Sequence, residues 1–427
     1  MTSLSKRGQR ALQPALSYWG MTMDALKDEA SAANPDGYVI VSVAENRVLN
    51  APKFLNRLHA SLAGVGKSAL GYDDFTGRPG FKDAYAAFAT ATLLPTSSAR
   101  IDSSHLCVSS GAGSLLAHLS SLLHDEGDGI LLPTPTYGAL YNDFSVVAGT
   151  KVLDVPMEPN YDLSLTAFDA AYDRAKAQNV TPKSVLLLNP DNPLGVIRSS
   201  TTVRALSDWC QRRGLHLIVD EIYANSVHTP ANSAEPFVSA IAALGTADAG
   251  VQALPSHVHI IWGFSKDWAT SGLRVGVLCS SNADVRQALS NVLYFSGVPN
   301  YLLDGLATML GDLSWCQEYL AENNAQLRAS YIAVTDVLTA YDVPFIPASA
   351  GMFVWIDLGQ FLKAPTWASE QALTQAMFEH SKFIMTPGEA QHAPRPGLYR
   401  ICFAYNTPEM VALGLDRTLR HLRAHPQ

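Results

Sequence analysis

The sequence predicts an α/β protein in which a large, doubly wound and mainly parallel sheet domain is accompanied by a smaller α+β domain. Three observations support this prediction. The chain has 427 residues, which is more than one hydrophobic core usually organises. Short apolar runs alternate with helix-like segments between residues 105 and 280. Beyond about residue 315 the pattern changes to one long polar helix followed by β-like runs.

The predicted strands of the large sheet are continuously apolar, as is typical of strands that are covered on both faces. Segments such as VRALSDWCQRRG separate several of them and have the pattern of amphipathic helices. Strands that alternate with helices in this way form parallel sheets. The predicted strands are residues 105–110, 129–134, 150–157, 184–189, 215–221, 257–264 and 274–280.

The predicted smaller domain combines both ends of the chain. It would contain the polar helix, the β-like segment PFIPASAGMFVWIDL and the final RICFAYN. We therefore assign residues 52–312 to the large domain, and residues 1–51 and 313–427 to the small one. The segments TLLPTSSARIDSS and TPANSAEP are predicted to be loop-rich insertions.

Composition and charge exclude several classes of protein. The chain is 48% hydrophobic and 16% charged, as expected for a compact globular protein. Its net charge of −8, without a basic stripe, argues against nucleic-acid or anionic-membrane binding. Its 5 cysteines are widely spaced in apolar runs, which predicts buried free thiols in a reducing compartment. With no long apolar stretch and no apolar leader segment, we expect a cytoplasmic protein.

Two loops that follow predicted strands are candidate binding loops, because ligands of such sheets bind at the carboxyl ends of strands. In SSGAGS, Ala112 and Gly113 begin a helix whose free N–H groups can bind an anion. A tight turn needed only for packing is the alternative. In PTPTYG, Tyr137 can stack on a flat heterocycle or simply pack against its neighbours.

Two further strand ends carry polar side chains. Asn189 and Asn192 lie in NPDNPLG, which is either an Asx-rich turn or a source of functional amides. Asp220 and the following glutamate end the next strand. Adjacent acids suggest a metal site, but no His or Cys cluster with ligand spacing accompanies them. A carboxylate there can instead pair with a protonated ring nitrogen, while Tyr223 can reach a phenolic oxygen.

The segment GFSKDWATSGLRVG places a lysine, Lys266, between Trp262 and Trp268 at another strand end. Burial lowers the pKa of a lysine and leaves its amine able to attack a carbonyl. Ser265 and Arg274 flank this lysine and can bind the same anion as the SSGAGS turn.

Taken in order, the motifs SGAGS, PTPTYG, NPDNPLG, DEIY, SKDWATSGLRVG and YRICFA resemble those of the class I and II aminotransferase family. These fold type I enzymes use pyridoxal 5′-phosphate (PLP). Within the family, VAENR, DDFTGRPGFK, DEIYANSV and GLYRICFAYN are most similar to 1-aminocyclopropane-1-carboxylate (ACC) synthases. The resemblance covers nearly the whole chain. It implies the PLP-dependent transferase fold type I, PLP as cofactor and a small-molecule amino acid substrate.

The resemblance implies roles for the cofactor-binding residues. Lys266 resembles the lysine that holds PLP covalently and removes the substrate's α-proton. Asp220 would keep the ring nitrogen protonated, so that the cofactor can withdraw electrons. Tyr137 would stack on the ring, and Asn192 and Tyr223 would bond its phenolic oxygen. The phosphate would be bound by Ala112, Gly113, Ser265 and Arg274.

The resemblance also implies a substrate site. Arg400 matches the arginine that grips the α-carboxylate, with Asn192 beside it, and Glu45 matches an acidic residue near the substrate. The subfamily usually has, at the position of Phe75, a tyrosine that crosses from the partner subunit, which implies a homodimer. The loop ALYNDFSVVAG also lacks an arginine typical of ACC synthases.

Three functions follow from the resemblance. The first is an ACC-synthase-like elimination or γ-substitution on S-adenosylmethionine or a similar amino acid. The second is transfer of an amino group to a 2-oxo acid. The third is a non-catalytic PLP-fold regulator, which usually has a fused DNA-binding module or a lost lysine. The sequence shows neither of those features, so an enzyme is expected.

Overall fold

A computed structural model describes residues 3–12, 16–49, 51–228 and 236–425. Within these ranges the strands are β1 Val39–Ile40, β2 Leu106–Ser109, β3 Gly129–Thr134, β4 Lys151–Pro156, β5 Pro182–Leu188, β6 His216–Asp220, β7 Thr246–Asp248, β8 Val251–Ala253, β9 Val258–Gly263, β10 Gly276–Ser280, β11 Phe345–Ile346, β12 Phe353–Asp357, β13 Phe383–Ile384, β14 Thr386–Pro387 and β15 Leu398–Cys402.

The α-helices surround these strands. Within the described ranges they are α1 Lys6–Arg10, α2 Trp19–Ala25, α3 Ala51–Leu62, α4 Pro79–Leu93, α5 Ala112–Leu123, α6 Ala139–Ala148, α7 Leu165–Ala177, α8 Ser200–Arg212, α9 Ala240–Leu244, α10 Ala283–Ser290, α11 Asn300–Leu310, α12 Leu313–Ala340, α13 Trp367–Ser381 and α14 Pro408–Ala424.

The largest sheet has seven strands in the order β2-β10-β9-β6-β5-β3-β4. Pairing is parallel from β9 through β4, whereas β10 is antiparallel to both of its neighbours. The predicted α/β class with a mainly parallel sheet is confirmed. The last predicted strand begins later than expected, at Gly276, because Arg274 has a φ of 54° and turns the chain before pairing starts.

Continuous apolar sequence in these strands is explained by burial on both faces. Alternate residues of one strand enter different hydrophobic cores: Leu217 and Val219 belong to one cluster, and Ile218 belongs to the cluster on the other face. Helices cover both faces, so neither face of a strand such as β9 needs polar side chains.

A second sheet is antiparallel, with the order β11-β12-β15-β14. Beside it, β1 from the N-terminal part of the chain pairs in parallel with β13. The two ends of the sequence therefore meet in one hydrophobic core with α13 and α14.

Helix α12 contacts both cores. Asp312 caps its first turn by accepting a hydrogen bond from the Trp315 backbone N–H at 3.1 Å. Tyr319 is buried in the core of the large sheet, and Leu327 and Val334 are buried in the core of the smaller one. One continuous helix thus connects the two layers.

The remaining expectations have mixed outcomes. All five cysteines are buried and free, as predicted. In TLLPTSSARIDSS the loop is shorter than expected because α4 continues to Leu93. The segment TPANSAEP lies outside the described residues, except for its last proline. Across the described ranges, every helix is too short or too polar to cross a membrane.

Candidate functional site

The residues singled out in the sequence gather at one edge of the seven-stranded sheet, because all its strands except β10 end there. Tyr137 follows β3, Asn192 follows β5, Asp220 ends β6 and Lys266 follows β9. Since β10 runs in the opposite direction, the residue that precedes it, Arg274, also lies at this edge. Parallel topology thus brings together positions that are far apart in the sequence.

The start of α5, residues 111–113, lies against Gly276 and Arg274. We call this region the cradle, and its free N–H groups and arginine suit an anion. Gly111, the N-cap of α5, has a φ of 87°, and a Cβ added there would lie 2.5 Å from a terminal nitrogen of Arg274. A Cβ on Gly276 would lie 2.5 Å from the Gly111 carbonyl carbon. Glycine is needed at both positions. The first N–H groups of the helix, at Ala112 and Gly113, have no helical acceptors.

Hydroxyl groups hold this cradle in place. Ser109 Oγ lies 2.7 Å from Ser114 Oγ and 2.8 Å from Ser296 Oγ. The Ser110 N–H donates to the Ser296 carbonyl at 2.8 Å, and the His118 ring contacts the Ser296 hydroxyl at 2.7 Å. This network ties the cradle to residues 293–296, and the sequence analysis did not anticipate it.

Lys266 lies in the interior of the site. Its Nζ donates to the Ala44 carbonyl at 2.5 Å, and burial lowers its pKa. The next residue, Asp267, fixes the segment by accepting hydrogen bonds from the Asn225 N–H at 2.9 Å and the Ser226 hydroxyl at 2.7 Å. Within the described ranges, Lys266 thus contacts a backbone carbonyl and forms no ion pair with an acid.

The adjacent acids at the end of β6 have different environments. Asp220 accepts a hydrogen bond from the Ile222 N–H at 3.0 Å, and burial raises its pKa to about 6. Glu221 accepts from Trp262 Nε1 at 2.8 Å and from the Ser239 hydroxyl at 2.5 Å. Glu221 is thus used for packing, and Asp220 is the acid available to a ligand.

Arg400 is completely buried, with 0% exposure. Its terminal nitrogens donate to Asn192 Oδ1 at 2.9 Å, the Ser42 carbonyl at 2.8 Å and Thr386 Oγ1 at 3.1 Å. Its guanidinium carbon lies 4.6 Å from the centre of the Phe353 ring. All these acceptors are neutral, and within the described ranges no carboxylate forms an ion pair with Arg400. A buried charge without a counter-charge favours an anionic ligand.

Of the two predicted tyrosines, Tyr223 is buried and Tyr137 is partly exposed. Tyr223 meets Phe353 edge-to-face, with ring centroids 5.4 Å apart. Burial raises the pKa of Tyr137 to about 12. Its loop is fixed by the Thr136 N–H, which donates to the Gln391 carbonyl at 2.9 Å. Ser265 is also buried.

Glu45 is near Lys266, but its carboxylate is already paired. It accepts a hydrogen bond from the Ser271 hydroxyl at 2.8 Å and from Arg47 Nε at 3.1 Å. Arg47 also forms an ion pair with Glu29 at 2.9 Å. Arg47 belongs to the VAENR motif noted in the sequence. Its pairing with Glu45 was not predicted, because the residue type alone does not show which acid an arginine will contact.

Phe75 does not join the cluster within one chain. It is half exposed and contacts Tyr72 and Tyr294, each with ring centroids 6.0 Å apart. Its segment precedes α4 at the surface. Within the described residues, Phe75 has no hydrogen-bond or ring contact with Lys266 or Arg400.

Asp143 on α6 is a residue that the sequence analysis missed. Burial and the charge of Asp220 raise its pKa to about 7. Its Oδ2 lies 4.0 Å from where a Cβ on Gly113 would be, and across the described residues it has no hydrogen-bond partner. Helix α6 begins two residues after Tyr137. The position of Asp143 in the first turns of a helix that follows a strand end is the sequence feature that could have identified it.

Comparisons with known proteins agree with this geometry. Residues 39–417 match the family model described as aminotransferase class I and II. An ACC synthase from Oryza sativa subsp. indica is 30% identical over 407 residues, which are 92% of this chain and 81% of that protein. An ACC synthase from Glycine max is 30% identical over 394 residues, 90% of this chain and 80% of that protein. A mouse relative, 29% identical over 402 residues (92% of this chain, 67% of that protein), is named a probable inactive ACC synthase-like protein.

Solved structures show the same fold at lower sequence identity. An aspartate aminotransferase from Thermus thermophilus superposes with a TM-score of 0.80 and 18% identity, covering 98% of this chain and 100% of that one. An aromatic aminotransferase from Pyrococcus horikoshii has a TM-score of 0.74 and 18% identity, covering 94% and 98%. At this identity the likeness concerns the fold alone.

Proposed function

The chain belongs to the class I and II aminotransferase family of PLP-dependent fold type I enzymes, and we propose that it acts on an α-amino acid by ACC-synthase-like elimination or γ-substitution. S-adenosylmethionine, or an amino acid with a similar γ-leaving group, is the proposed substrate. The observation that carries this proposal is that one short segment, residues 42–45, contacts two basic side chains of the site. Its Ser42 carbonyl contacts Arg400, and its Ala44 carbonyl contacts Lys266.

The site fits PLP. Gly111 and Gly276 allow Arg274 and the first N–H groups of α5 to approach each other closely, and Arg274 forms no ion pair among the described residues, so its charge is available to a phosphate. Asp220 is buried without a cation in hydrogen-bond contact, so a protonated ring nitrogen would supply the missing charge. When bound, PLP joins an amine through its aldehyde and withdraws electrons from the substrate's α-carbon.

We assign the cofactor-binding roles from these contacts. The N–H groups at the start of α5, with Ser265 and Arg274, would bind the phosphate. Tyr137 would stack on the ring. Asn192 offers its oxygen to Arg400, so its amide nitrogen stays free to donate to the phenolic oxygen, beside Tyr223. The residues at the start of α5 are Ala112 and Gly113.

Lys266 is the proposed base. Its lowered pKa increases the fraction of neutral amine, which can attack a carbonyl and can take a proton from the α-carbon. Arg400 would bind the α-carboxylate through the N–H groups that its present partners leave unused, among them Nε, which has no hydrogen-bond partner within the described residues. Because residues 42–45 contact both side chains, a carboxylate on Arg400 would place the adjacent α-carbon near the lysine.

Glu45 favours a substrate with a cationic side chain, such as a sulfonium. It lies one residue from the carbonyl that contacts Lys266, and its carboxylate is held in place by Ser271. Transamination is the second candidate function, and Arg47 favours it. Since Arg47 pairs with Glu45 at 3.1 Å, it reduces the negative charge that would attract a sulfonium.

Product analysis separates the two reactions. The holoenzyme is incubated with S-adenosylmethionine, and separately with a panel of amino acids plus 2-oxoglutarate or pyruvate, and all products are identified by mass. Methylthioadenosine is the expected product of the first incubation. If 2-oxo acids form freely while methylthioadenosine never appears, the elimination proposal is wrong and transamination replaces it.

A pair of variants tests the role of Glu45. Glu45→Gln should raise KM for S-adenosylmethionine by about tenfold, the effect of losing roughly 1.4 kcal/mol of charge–charge attraction. Glu29→Gln is the matched control, because it removes the other carboxylate paired with Arg47. Equal KM values for the two variants would show that Glu45 has no special contact with the substrate.

We also propose that the enzyme is a homodimer. Aromatic side chains are exposed beside the cradle, and Tyr72 is 96% and Phe295 71% exposed. These exposed rings form one continuous group, in which Tyr294 contacts both Phe75 and Phe295, and a contiguous exposed apolar patch is typical of an interface. Phe75 would then contact the partner's site. Sedimentation should show a dimer that Tyr72→Asp weakens. The control Leu413→Asp, at an exposed leucine on α14, should not weaken it.

The proposed domain division remains 52–312 for the large domain, and 1–51 with 313–427 for the small one. It is supported by two hydrophobic cores, each built mostly from one of these ranges. Outside α12, the exceptions among the described residues are Leu49 in the core of the large sheet, and Ile222 and Tyr223 in the core of the smaller one. Helix α12 contacts both cores, so the boundary at residue 313 marks the start of a shared helix.

A further inference from the structure

A cavity of about 630 Å³ lies between the two sheets, outside the cluster around Lys266. We call it the inter-sheet pocket. The ends of β3 and β4 and the chain that follows them form one side, and β11, β12 and β15 form the other. Its size is that of pockets that hold small organic ligands. Residues on its walls include Met157, Tyr161, Phe345, Ile346, Trp355 and Leu398.

The inter-sheet pocket is close to the substrate-binding arginine without including it. Trp355 is paired directly with Arg400 across β12 and β15, so both side chains project from the same face of the smaller sheet. Leu398 precedes Arg400 by two residues on that face, a separation of roughly 7 Å. A molecule in the pocket would thus be a neighbour of the site and not an occupant of it.

The walls of the inter-sheet pocket are mainly apolar and aromatic. Trp355 is buried, and its Nε1 donates to the Tyr161 hydroxyl at 3.0 Å, which locks the two side chains together across the gap between the sheets. Phe345 and Ile346 line the opposite edge. Rigid aromatic walls of this kind suit an apolar ligand body and can also attract a cation through their ring faces.

The acids on the described walls of the pocket outnumber the one permanent cation there, Arg395. Asp154 pairs with His392 at 3.0 Å, and Asp357 pairs with Arg395 at 2.5 Å. Glu158, at the rim, has no ion pair or side-chain hydrogen bond within the described part of the chain. Among the described residues on the walls, Arg395 is the permanent cation and is matched by Asp357, so the net charge of the walls is negative.

We propose that the inter-sheet pocket is a second ligand site that binds an organic cation with an apolar or aromatic body. The cationic group would face Glu158, and the body would lie against Trp355 and Tyr161. This site does not depend on which reaction the enzyme catalyses. The pocket also includes Thr134 and Pro135, which lead into the Tyr137 loop. A bound ligand would therefore contact residues next to the cofactor site.

Benzyltrimethylammonium is a suitable probe, because a quaternary ammonium cannot condense with PLP. Calorimetric titration of the holoenzyme should show saturable binding of one cation per chain. Benzyl alcohol, which has a similar body and no charge, should bind about tenfold more weakly. Absence of saturable binding, or equal affinity for the neutral compound, would overturn the proposal.

Two variants locate the cation. Ile346→Trp fills the pocket and should abolish binding, with the visible absorbance of the bound cofactor used to check that the protein is folded. Glu158→Gln keeps the volume and should weaken binding about threefold, whereas Glu318→Gln, at an exposed acid on α12, should leave it unchanged. Binding that survives Ile346→Trp would place the cation elsewhere, the active site included. Unchanged affinity in Glu158→Gln would remove the basis for cation recognition. Either result contradicts the proposal.

Discussion

Two buried arginines donate hydrogen bonds to the same turn, NPDNPLG, and they differ in the charge of the side chain that accepts. Arg198 is 6% exposed and forms an ion pair with Asp191 at 2.7 Å. Arg400 is 0% exposed and is held by the neighbouring residue, Asn192, at 2.9 Å, together with other neutral acceptors. The carboxylate of Asp191 therefore gives Arg198 a counter-charge, whereas the amide of the next residue leaves Arg400 without one.

We propose that this difference separates a structural arginine, Arg198, from a ligand-binding one, Arg400. The charge of Arg198 is neutralised inside the protein, so nothing further is needed there. The charge of Arg400 is solvated only by dipoles, which hold the guanidinium in position and leave its charge for an anion from outside. The following experiments test this contrast, from the largest expected effect to the smallest.

Arg400→Gln should lower kcat/KM by about a thousandfold, or roughly 4 kcal/mol, because the substrate carboxylate loses its buried partner. The free energy of unfolding should stay close to that of the wild type, since no acid is left unpaired. Steady-state kinetics and urea denaturation provide the two values. A variant that keeps its kcat/KM would show that Arg400 does not bind the substrate.

Asp191→Asn should have the opposite effects, a lower free energy of unfolding and little change in kcat/KM. It leaves Arg198 buried without a counter-charge, which should reduce the free energy of unfolding by about 3 kcal/mol. Urea denaturation measures this change. Asp173→Asn, at an exposed acid on α7, is the control and should alter stability by less than about 0.5 kcal/mol. A stable Asp191→Asn protein would mean that the Arg198 ion pair is not a structural requirement.

Asp220 gives a test by pH, because it too lacks a partner when PLP is removed. Its pKa in the folded protein is about 6, above the ordinary 3.8, since burial disfavours the charged form. The folded apoenzyme thus binds the proton more tightly than the unfolded chain does. The resulting stabilisation, about 3 kcal/mol, is fully present below pH 3.8 and is lost as the pH rises through about 6.

Asp220→Asn should remove that part of the pH dependence, which is measured as the difference in unfolding free energy between the two apoenzymes at pH 4, 5, 6 and 7. In the holoenzyme a protonated ring nitrogen would keep Asp220 charged, so the same difference should be absent. Identical pH profiles for the wild-type and variant apoenzymes would contradict the raised pKa.

Asn192→Asp should have the smallest effect of the series. It gives Arg400 the kind of partner that Arg198 has, so the substrate carboxylate must compete with an internal one. We expect KM to rise about tenfold, or roughly 1.4 kcal/mol. Asn192→Asp also removes the amide donor proposed for the phenolic oxygen, so binding of an amine that lacks the carboxylate, followed by cofactor absorbance, is the control: it reports that loss alone and should change less than KM. An unchanged KM would show that the amide is not what keeps Arg400 available.

The sequence predicted the large sheet well because its strands are short apolar runs between clear helices. It did not reveal the reversed direction of β10, which depends on the turn at Arg274 and on pairing with β2 and β9. Strand direction is set by the path between elements, and no residue pattern within β10 records it.

The site was predictable to the extent that it lies at strand ends. Tyr137, Asp220 and Lys266 all follow or end apolar runs, and so a parallel sheet necessarily groups them. Asp143 was missed because it stands within a helix, where an acid is ordinarily a solvated residue. The pairing of Arg47 with Glu45 depends on side-chain direction in an irregular segment, for which the sequence has no periodic signal.

The contact between Ser42 and Arg400 has a consequence for biosynthesis. The two residues are 358 positions apart, and Ser42 leaves the ribosome early. At 5–20 residues per second, roughly 20 to 70 s pass before Arg400 is even synthesised. Lys266 is synthesised earlier, 222 positions after Ala44, so for the last part of that interval the segment 42–45 has one of its two partners and lacks Arg400. A nascent chain interrupted before its last strand would therefore carry the lysine and the glycine cradle but would lack a working substrate site.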